Sequence, residues 1–262
     1  MTDSLRIVHG NIFLSNTKIF PYFQDLSGKM DPLETPLHKA VKAGNIQDVK
    51  ALILSGAEIN IKDNFNRTPL FYAVLKNKAP FVNILLQSGA DPNTKNSNLT
   101  TPLHWASSCG FLEIVIMLLA NNANIDVKDI TGHTPLHMAA MDGRTLVLKL
   151  LLQNGANIEA QTNDGTTPLH FAAIFSYRHD KTMEILIQNG AKLEAKDHQG
   201  QTPIHFAALM MRSSRVEMFK RYGASLTIRN SYGLTPFENA LHSNNSGIDH
   251  KLKCIKALCY KK

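Results

Sequence analysis

Apolar residues fall along this chain in paired groups, each pair closed by a polar turn. Residues 134–165 show the unit. Leu136, Ala139 and Ala140 stand at i, i+3 and i+4 and share one face of a short helix, which Gly143 ends. Leu148, Leu151 and Leu152 mark the buried face of a second helix, with Gly155 as the left-handed residue that stops it. Asn163-Asp164-Gly165 is turn chemistry. The unit therefore reads helix, helix, then a turn or hairpin. The second-helix pattern recurs as Val49, Val82, Val115, Leu148, Met183 and Val216, then as Leu52, Leu85, Leu118, Leu151, Leu186 and Phe219. A Gly-Ala pair follows it at five places, and Asn122-Ala123 takes its place once, Asn being the next best residue for that conformation.

Each first helix is announced by Thr-Pro. Thr supplies a capping hydroxyl, and Pro suits a first-turn position where no donor is needed. The copies begin at Thr35, Thr68, Thr101, Thr134, Thr167, Thr202 and Thr235, at intervals of 33, 33, 33, 33, 35 and 33 residues. A period this regular marks one supersecondary unit stacked many times. With Thr134-Pro135-Leu136-His137-Met138-Ala139 and its relatives, the chain resembles the ankyrin-repeat family over residues 31 to 262. The fold expected is an all-α repeat, an ankyrin solenoid of helix-turn-helix units with β-hairpin or turn fingers. Residues 1–30 are a leader or N-terminal cap, and the last of about seven repeats is a degenerate C-terminal cap. The resemblance implies a non-enzymatic module that binds a partner protein through a concave inner face lined by the first helices.

Departures from the pattern locate the irregular places. Repeat two has Phe71 for His, Lys78 for Gly, and Pro80 near the start of its second helix. Repeat five carries two extra residues around Ser176-Tyr177-Arg178-His179-Asp180, expected to bulge. Lys220 stands where five other repeats have Leu or Ile, and predicts a loosely packed helix. Repeat seven has Glu238 for His, and its second helix is displaced by Asn244-Asn245-Ser246-Gly247. Ile255, Leu258 and Cys259 are its expected buried face, opposite Lys251, Lys253, Lys256, Lys261 and Lys262. In the leader, His9-Gly10-Asn11 between apolar residues suits a small hairpin. Ile19, Phe20, Tyr22 and Phe23 are read as a cover for the open end of repeat one.

Composition narrows the classes. At 262 residues with 44% hydrophobic and 19% charged residues, the chain folds around a core and is not a disordered polymer. Cys109, Cys254 and Cys259 are an odd number without framework spacing, which suits free thiols in a reducing compartment. No apolar run approaches a membrane span of about 20 residues. The N-terminus makes a poor secretory signal, so the expected location is cytoplasmic, or a host cell reached without such a signal. His38, His104, His137, His170 and His205 recur at one register, about 10 Å apart by helix packing and too far for one metal. A hydrogen bond between neighbouring repeats is their expected role. No phosphate-loop, nucleophile-elbow or zinc-protease motif occurs. Catalytic residues, metal ligands and cofactors are therefore assigned as none.

Candidate contacts follow from the resemblance, which points to the C-terminal ends of the first helices and the finger tips. At the helix ends stand Leu75, Lys76, Met141, Ile174, Phe175, Leu209 and Met210, with Trp105 in support. Their apolar members read as an exposed patch if nothing covers them, and as core if the repeat-five insertion does. The tips carry a basic ladder of Lys62, Lys95, Lys128, Lys196 and Arg229, with Asp63, Asp129 and Asp197 beside three of its members as expected neutralising charges. The net charge of +7 and this ladder supply the alternative of an adaptor for nucleic acid or anionic lipid. Nucleic acid is disfavoured because no aromatic residues interleave the ladder. A composition rich in Asn, Lys and Ile supplies another alternative, a secreted effector of an intracellular bacterium acting on host proteins. The family also includes substrates of asparaginyl hydroxylation, and Asn60 and Asn93 fit that pattern by register. The chain is read as a monomer whose partner is another protein.

Overall fold

Every Thr-Pro pair opens a helix. The computed structural model describes residues 6–8, 11–13, 34–174, 180–241 and 248–259. Two compact units divide the chain: residues 31–192, and residues 193–262 together with 1–30. In the first, the helices run α1 (Pro36–Ala43), α2 (Ile46–Leu54), α3 (Pro69–Leu75), α4 (Ala79–Gln87), α5 (Pro102–Cys109), α6 (Leu112–Ala120), α7 (Pro135–Met141), α8 (Thr145–Gln153), α9 (Pro168–Ile174) and α10 (Asp180–Gln188). The second holds α11 (Pro203–Leu209), α12 (Ser213–Arg221), α13 (Pro236–Leu241) and α14 (Ile248–Cys259). It also includes the expected leader hairpin, strands β1 (Arg6–Val8) and β2 (Asn11–Phe13), paired antiparallel with Ile7 opposite Ile12. The leader aromatics, the repeat-five insertion at 175–179 and residues 244–247 lie outside the described residues.

Within each unit the first helices pack side by side, and each second helix lies against its own first helix. Leu37, Leu70, Leu103, Leu136 and Leu169 are buried, and so is the column Val49, Val82, Val115, Leu148 and Met183. The bulky column after the histidines, Tyr72, Trp105, Met138, Phe171 and Phe206, is also core. Burial of one large aliphatic side chain stabilises by about 1.5–3 kcal/mol, and these columns repeat it at every step.

The histidine ladder joins the repeats. In His38, His104, His137 and His205, Nδ1 accepts the backbone N–H of the capping Thr three residues earlier, at 3.3, 3.2, 3.1 and 3.2 Å. Nε2 therefore carries the proton. It donates to the carbonyl oxygens of Arg67, His133, Thr166 and Leu234, each 29 residues on, at 3.1, 3.0, 3.1 and 3.1 Å. One neutral ring thus caps its own helix and reaches the next repeat. Phe71 in repeat two gives up both bonds and is buried instead, leaving Thr68 Oγ1 to accept from Phe71 N. Glu238 in repeat seven keeps the capping half, accepting Thr235 N–H at 2.7 Å.

The irregular positions differ in part from expectation. The left-handed residue of repeat two is Asn77 (φ 51°), not Lys78, which lies one place later in register. Pro80 falls in the first turn of α4, where it removes no helical hydrogen bond. Lys220 is half-buried, and its Nζ donates to the Ala257 carbonyl of α14, which packs on α12 and α13. The expected looseness therefore has a specific counterweight. The aliphatic residues at its register are also mostly half-buried (Ile53, Leu119, Leu152, Ile187), so the site never demanded a full apolar plug. In α14, Leu258 is buried and Ile255 half-buried, but Cys259 is exposed and Ala257 takes the buried place. Helical geometry explains the swap: Ala257 and Leu258 adjoin, and Cys259 turns past that face.

Burial pushes the His104 ring down to about 4 and the His137 ring down to about 3, and lowers His205 by the same cause. Unfolded histidine titrates near 6.5, so below that pH the unfolded chain binds protons that the folded rings refuse. Stability is intact above pH 6.5 and falls with acidification, by about 1.4 kcal/mol per pH unit for each such ring, until the folded value is reached. Urea unfolding at pH 7 and pH 5 is expected to show this loss, and His137→Gln to show a shallower dependence than the wild type.

Candidate protein-interaction surface

Two edges of each unit present side chains in register: the C-terminal ends of the first helices and the finger tips. In residues 31–192 the helix ends are fixed by basic side chains from the following repeat. Lys78 Nζ donates to the Val41 and Lys42 carbonyls at 3.3 and 3.4 Å, and Arg144 Nε donates to Ser108 O at 2.7 Å. These bonds satisfy carbonyls that a helix terminus leaves open, with positive charge at the negative end of the dipole. Ser108 Oγ donates to Asp142 Oδ2 at 2.5 Å. Burial raises the Asp142 carboxyl and the Cys109 thiol above their usual ranges.

The helix-end residues divide by exposure. Lys76 is exposed, and Leu75 and Met210 are half-buried. Met141, Ile174, Leu209 and Trp105 are buried at 8, 3, 5 and 8% exposure, so they form no exposed apolar patch. They lie on first helices that pack side by side, α5 with α7, α7 with α9 and α11 with α13. Phe175 lies outside the described residues. What this edge offers in residues 31–192 is polar: Lys42, Lys76, Asn77, Ser108 and Asp142, around half-buried Leu75 and Cys109.

A polar and aromatic cluster stands at repeats one and two. The Arg67 Nε–Asp63 Oδ2 ion pair is 2.7 Å long and buried, and Tyr72 OH donates to Asp63 Oδ2 at 2.8 Å. Burial alone would raise Asp63, but the Arg67 backbone and side-chain bonds and the Tyr72 hydroxyl hold its carboxyl below the usual value. Lys42 pairs with Glu34 and lies 4.8 Å over the Tyr72 ring.

At the tips, Lys62, Lys95 and Lys128 of one unit and Lys196 and Arg229 of the other are all exposed. Asp63, Asp129 and Asp197 do not screen them from the surface, as the sequence suggested. All three are buried, and each carboxylate accepts the N–H groups of the residues two and four places on, at 2.7–2.9 Å. Asn96 and Asn230 hold their turns in the same way. Successive tips also bond to each other: Ser97 N–H to Phe65 O, Ile130 N–H to Asn98 O and Asn163 N–H to Thr131 O, with Ser231 N–H to Gln199 O in the second unit. Asn60 and Asn93 are equally engaged. Each side chain donates to a carbonyl (Gly89, Asn122) and accepts an N–H (Asp91, Asn124) of the following repeat.

The tip turn contains one feature that the sequence reading missed. Its left-handed position is Gly132, Gly165, Gly200 and Gly233 in four fingers and Asn66 in another, but Leu99 (φ 58°) in repeat two. That conformation costs a side-chain-bearing residue roughly 1–2 kcal/mol. The place is also crowded: a Cβ on Gly132 would lie 2.5 Å from Asn163 N, the atom equivalent to Ile130 N for Leu99. Leu99 and Ile130 are 43 and 56% exposed. Aligning the tip turns by register would have displayed Leu99 as the odd member of a Gly column.

Among the described residues no group of His, Cys, Asp and Glu is placed to hold a metal ion, and no helix is long and apolar enough to cross a membrane. The repeated helix pair, its Thr-Pro-x-His cap and the bonded tips define an ankyrin-type repeat. The family model described as "Ankyrin repeats (3 copies)" matches residues 21–96, 37–129 and 103–197, and the chain belongs to that family. The ankyrin repeat domain of Bcl-3, from a structure titled as a unique member of the IkappaB family, is 28% identical, with a TM-score of 0.73 over 87% of this chain and 99% of that one. The human ASB11 ankyrin repeat domain is 27% identical, with a TM-score of 0.74 over 86% of this chain and 96% of that one. No curated protein matches. Ankyrin-repeat domains are protein–protein interaction modules, and the fold is generally non-catalytic.

Removal of a helix-end clamp is expected to register in stability. Arg144→Ala should lower unfolding free energy by about 1 kcal/mol, the net value of one such hydrogen bond, in a urea titration. Alkylation at neutral pH followed by mass spectrometry should label exposed Cys259 well before Cys109, whose thiol is half-buried and raised.

Proposed function

We propose that the chain binds another protein through the first-helix ends of residues 31–192, the edge that corresponds to the inner face of the family. The observation that carries this reading is the row of polar side chains, exposed Lys42 and Lys76 and the half-buried, mutually bonded pair Ser108 and Asp142, on helix ends whose carbonyls are already clamped by Lys78 and Arg144. A surface fixed before binding loses little conformational freedom when a partner docks. The side chains are mixed in charge, which suits specificity more than raw affinity. Leu75 and Cys109 supply the partly apolar centre. Met141, Ile174 and Trp105 are buried core residues of the same unit.

Affinity capture with mass spectrometry tests the reading. The comparison is wild type against Leu75→Asp with Lys76→Glu, after circular dichroism has shown an unchanged fold. The expected outcome is loss of one reproducible protein partner. Retention of every partner by the folded variant would refute this edge as the site.

A further inference from the structure

The finger tips of repeats two and three form a second surface, independent of the helix ends. Three observations converge there. Leu99 occupies a left-handed backbone position (φ 58°) that four other fingers give to Gly. Its side chain, nonetheless, is 43% exposed and adds little to the core. Residues held in sparsely populated backbone regions without a packing reason cluster at binding sites. The neighbouring tip brings Ile130, 56% exposed, directly alongside, because Ile130 N–H bonds the carbonyl of Asn98, the residue preceding Leu99, at 3.1 Å. Two exposed apolar side chains are thus carried on adjoining turns joined by a backbone hydrogen bond.

The chemistry around them selects the occupant. Lys95 precedes Leu99 by four residues and Lys128 precedes Ile130 by two; both are exposed, and the Lys128 ammonium, which donates to the Gln161 carbonyl at 2.7 Å, keeps its charge at the surface. The aspartate nearest in sequence, Asp129, is buried and spends its carboxylate on the Thr131 and His133 N–H groups. Positive charge thus flanks exposed apolar surface. We infer that the tips of repeats two and three bind an acidic protein segment that carries apolar side chains, with Leu99 and Ile130 as the apolar contact and Lys95 and Lys128 as the electrostatic one. Lysines at the rim accelerate and orient such an encounter, and they make it sensitive to salt.

A random twelve-residue peptide library selected on the full chain tests this surface. The expected result is enrichment of peptides that combine Asp or Glu with Leu, Ile or Phe. Binding of a synthesised winner should fall at least tenfold for Leu99→Gly, for Ile130→Ser and for Lys95→Glu with Lys128→Glu, and should weaken as salt rises. Leu99→Gly should at the same time raise the melting temperature by a few degrees, since Gly adopts that backbone freely. Loss of binding in a variant that is more stable cannot come from unfolding. Winners that lack acidic residues, or that bind Leu99→Gly undiminished, would overturn the inference. Failure to enrich any peptide while phosphatidylserine vesicles or a random-sequence oligonucleotide bind the chain would overturn it as well. The Leu75→Asp, Lys76→Glu variant should keep this binding, which separates the two surfaces.

Discussion

A single neutral imidazole, used once in each of five of the seven repeats, is the constraint on which the rest of the structure depends. Its Nδ1 is committed to the capping threonine and its Nε2–H to a carbonyl 29 residues further on. A ring so placed must be uncharged, and it must be buried to make both bonds worth having. The same bond that closes one helix therefore fixes where the next repeat begins. Apolar columns supply the bulk of the favourable free energy, but they are tolerant of sliding, whereas two directional bonds from one rigid ring are not. The asparagine bridges of Asn60 and Asn93 and the tip-to-tip bonds repeat the principle at two further levels.

Once those bonds are assigned, the surface sorts itself. Side chains that look available in a list of charged residues are often occupied. Asp63, Asp129 and Asp197 serve the backbone of their own turns, and Lys78 and Arg144 serve the carbonyls of the preceding helix. What remains accessible in residues 31–192 is a mixed-charge row at the helix ends and a lysine-flanked apolar pair at the tips. These two surfaces differ in chemistry, as two independent docking sites on one rigid scaffold would.

Much of this was legible in the sequence because repetition multiplies weak signals. One Thr-Pro is a common accident, and seven in register are not. The helices, the caps, the role of the histidines and the aromatic core column all followed from that register. The exposure of Met141, Ile174 and Leu209 did not, because a helix-end residue faces outward or toward its neighbour according to a rotation that the pattern within one repeat does not encode. The aspartates were misread for a similar reason: a carboxylate and a lysine adjacent in sequence point to opposite sides of an extended segment. Leu99 was overlooked because an exposed leucine is unremarkable until its backbone angle is known.

Glu238 has a consequence of another kind. A histidine at this place has two valences, one turned back to its own helix and one turned forward. Glu238 has only acceptors: one carboxylate oxygen takes the Thr235 N–H and an Arg229 guanidinium, and nothing on it can donate ahead. In the language of polymers, the histidine repeats are bifunctional monomers and the seventh is monofunctional. The carbonyl of a repeat grafted after it would face a carboxylate where the histidine repeats offer an N–H, and two acceptors repel. Phe71 shows that a neutral apolar side chain at this place still lets the next repeat stack, α3 against α5, so a graft onto this scaffold would begin by replacing the charge at residue 238 with a donor or an apolar group.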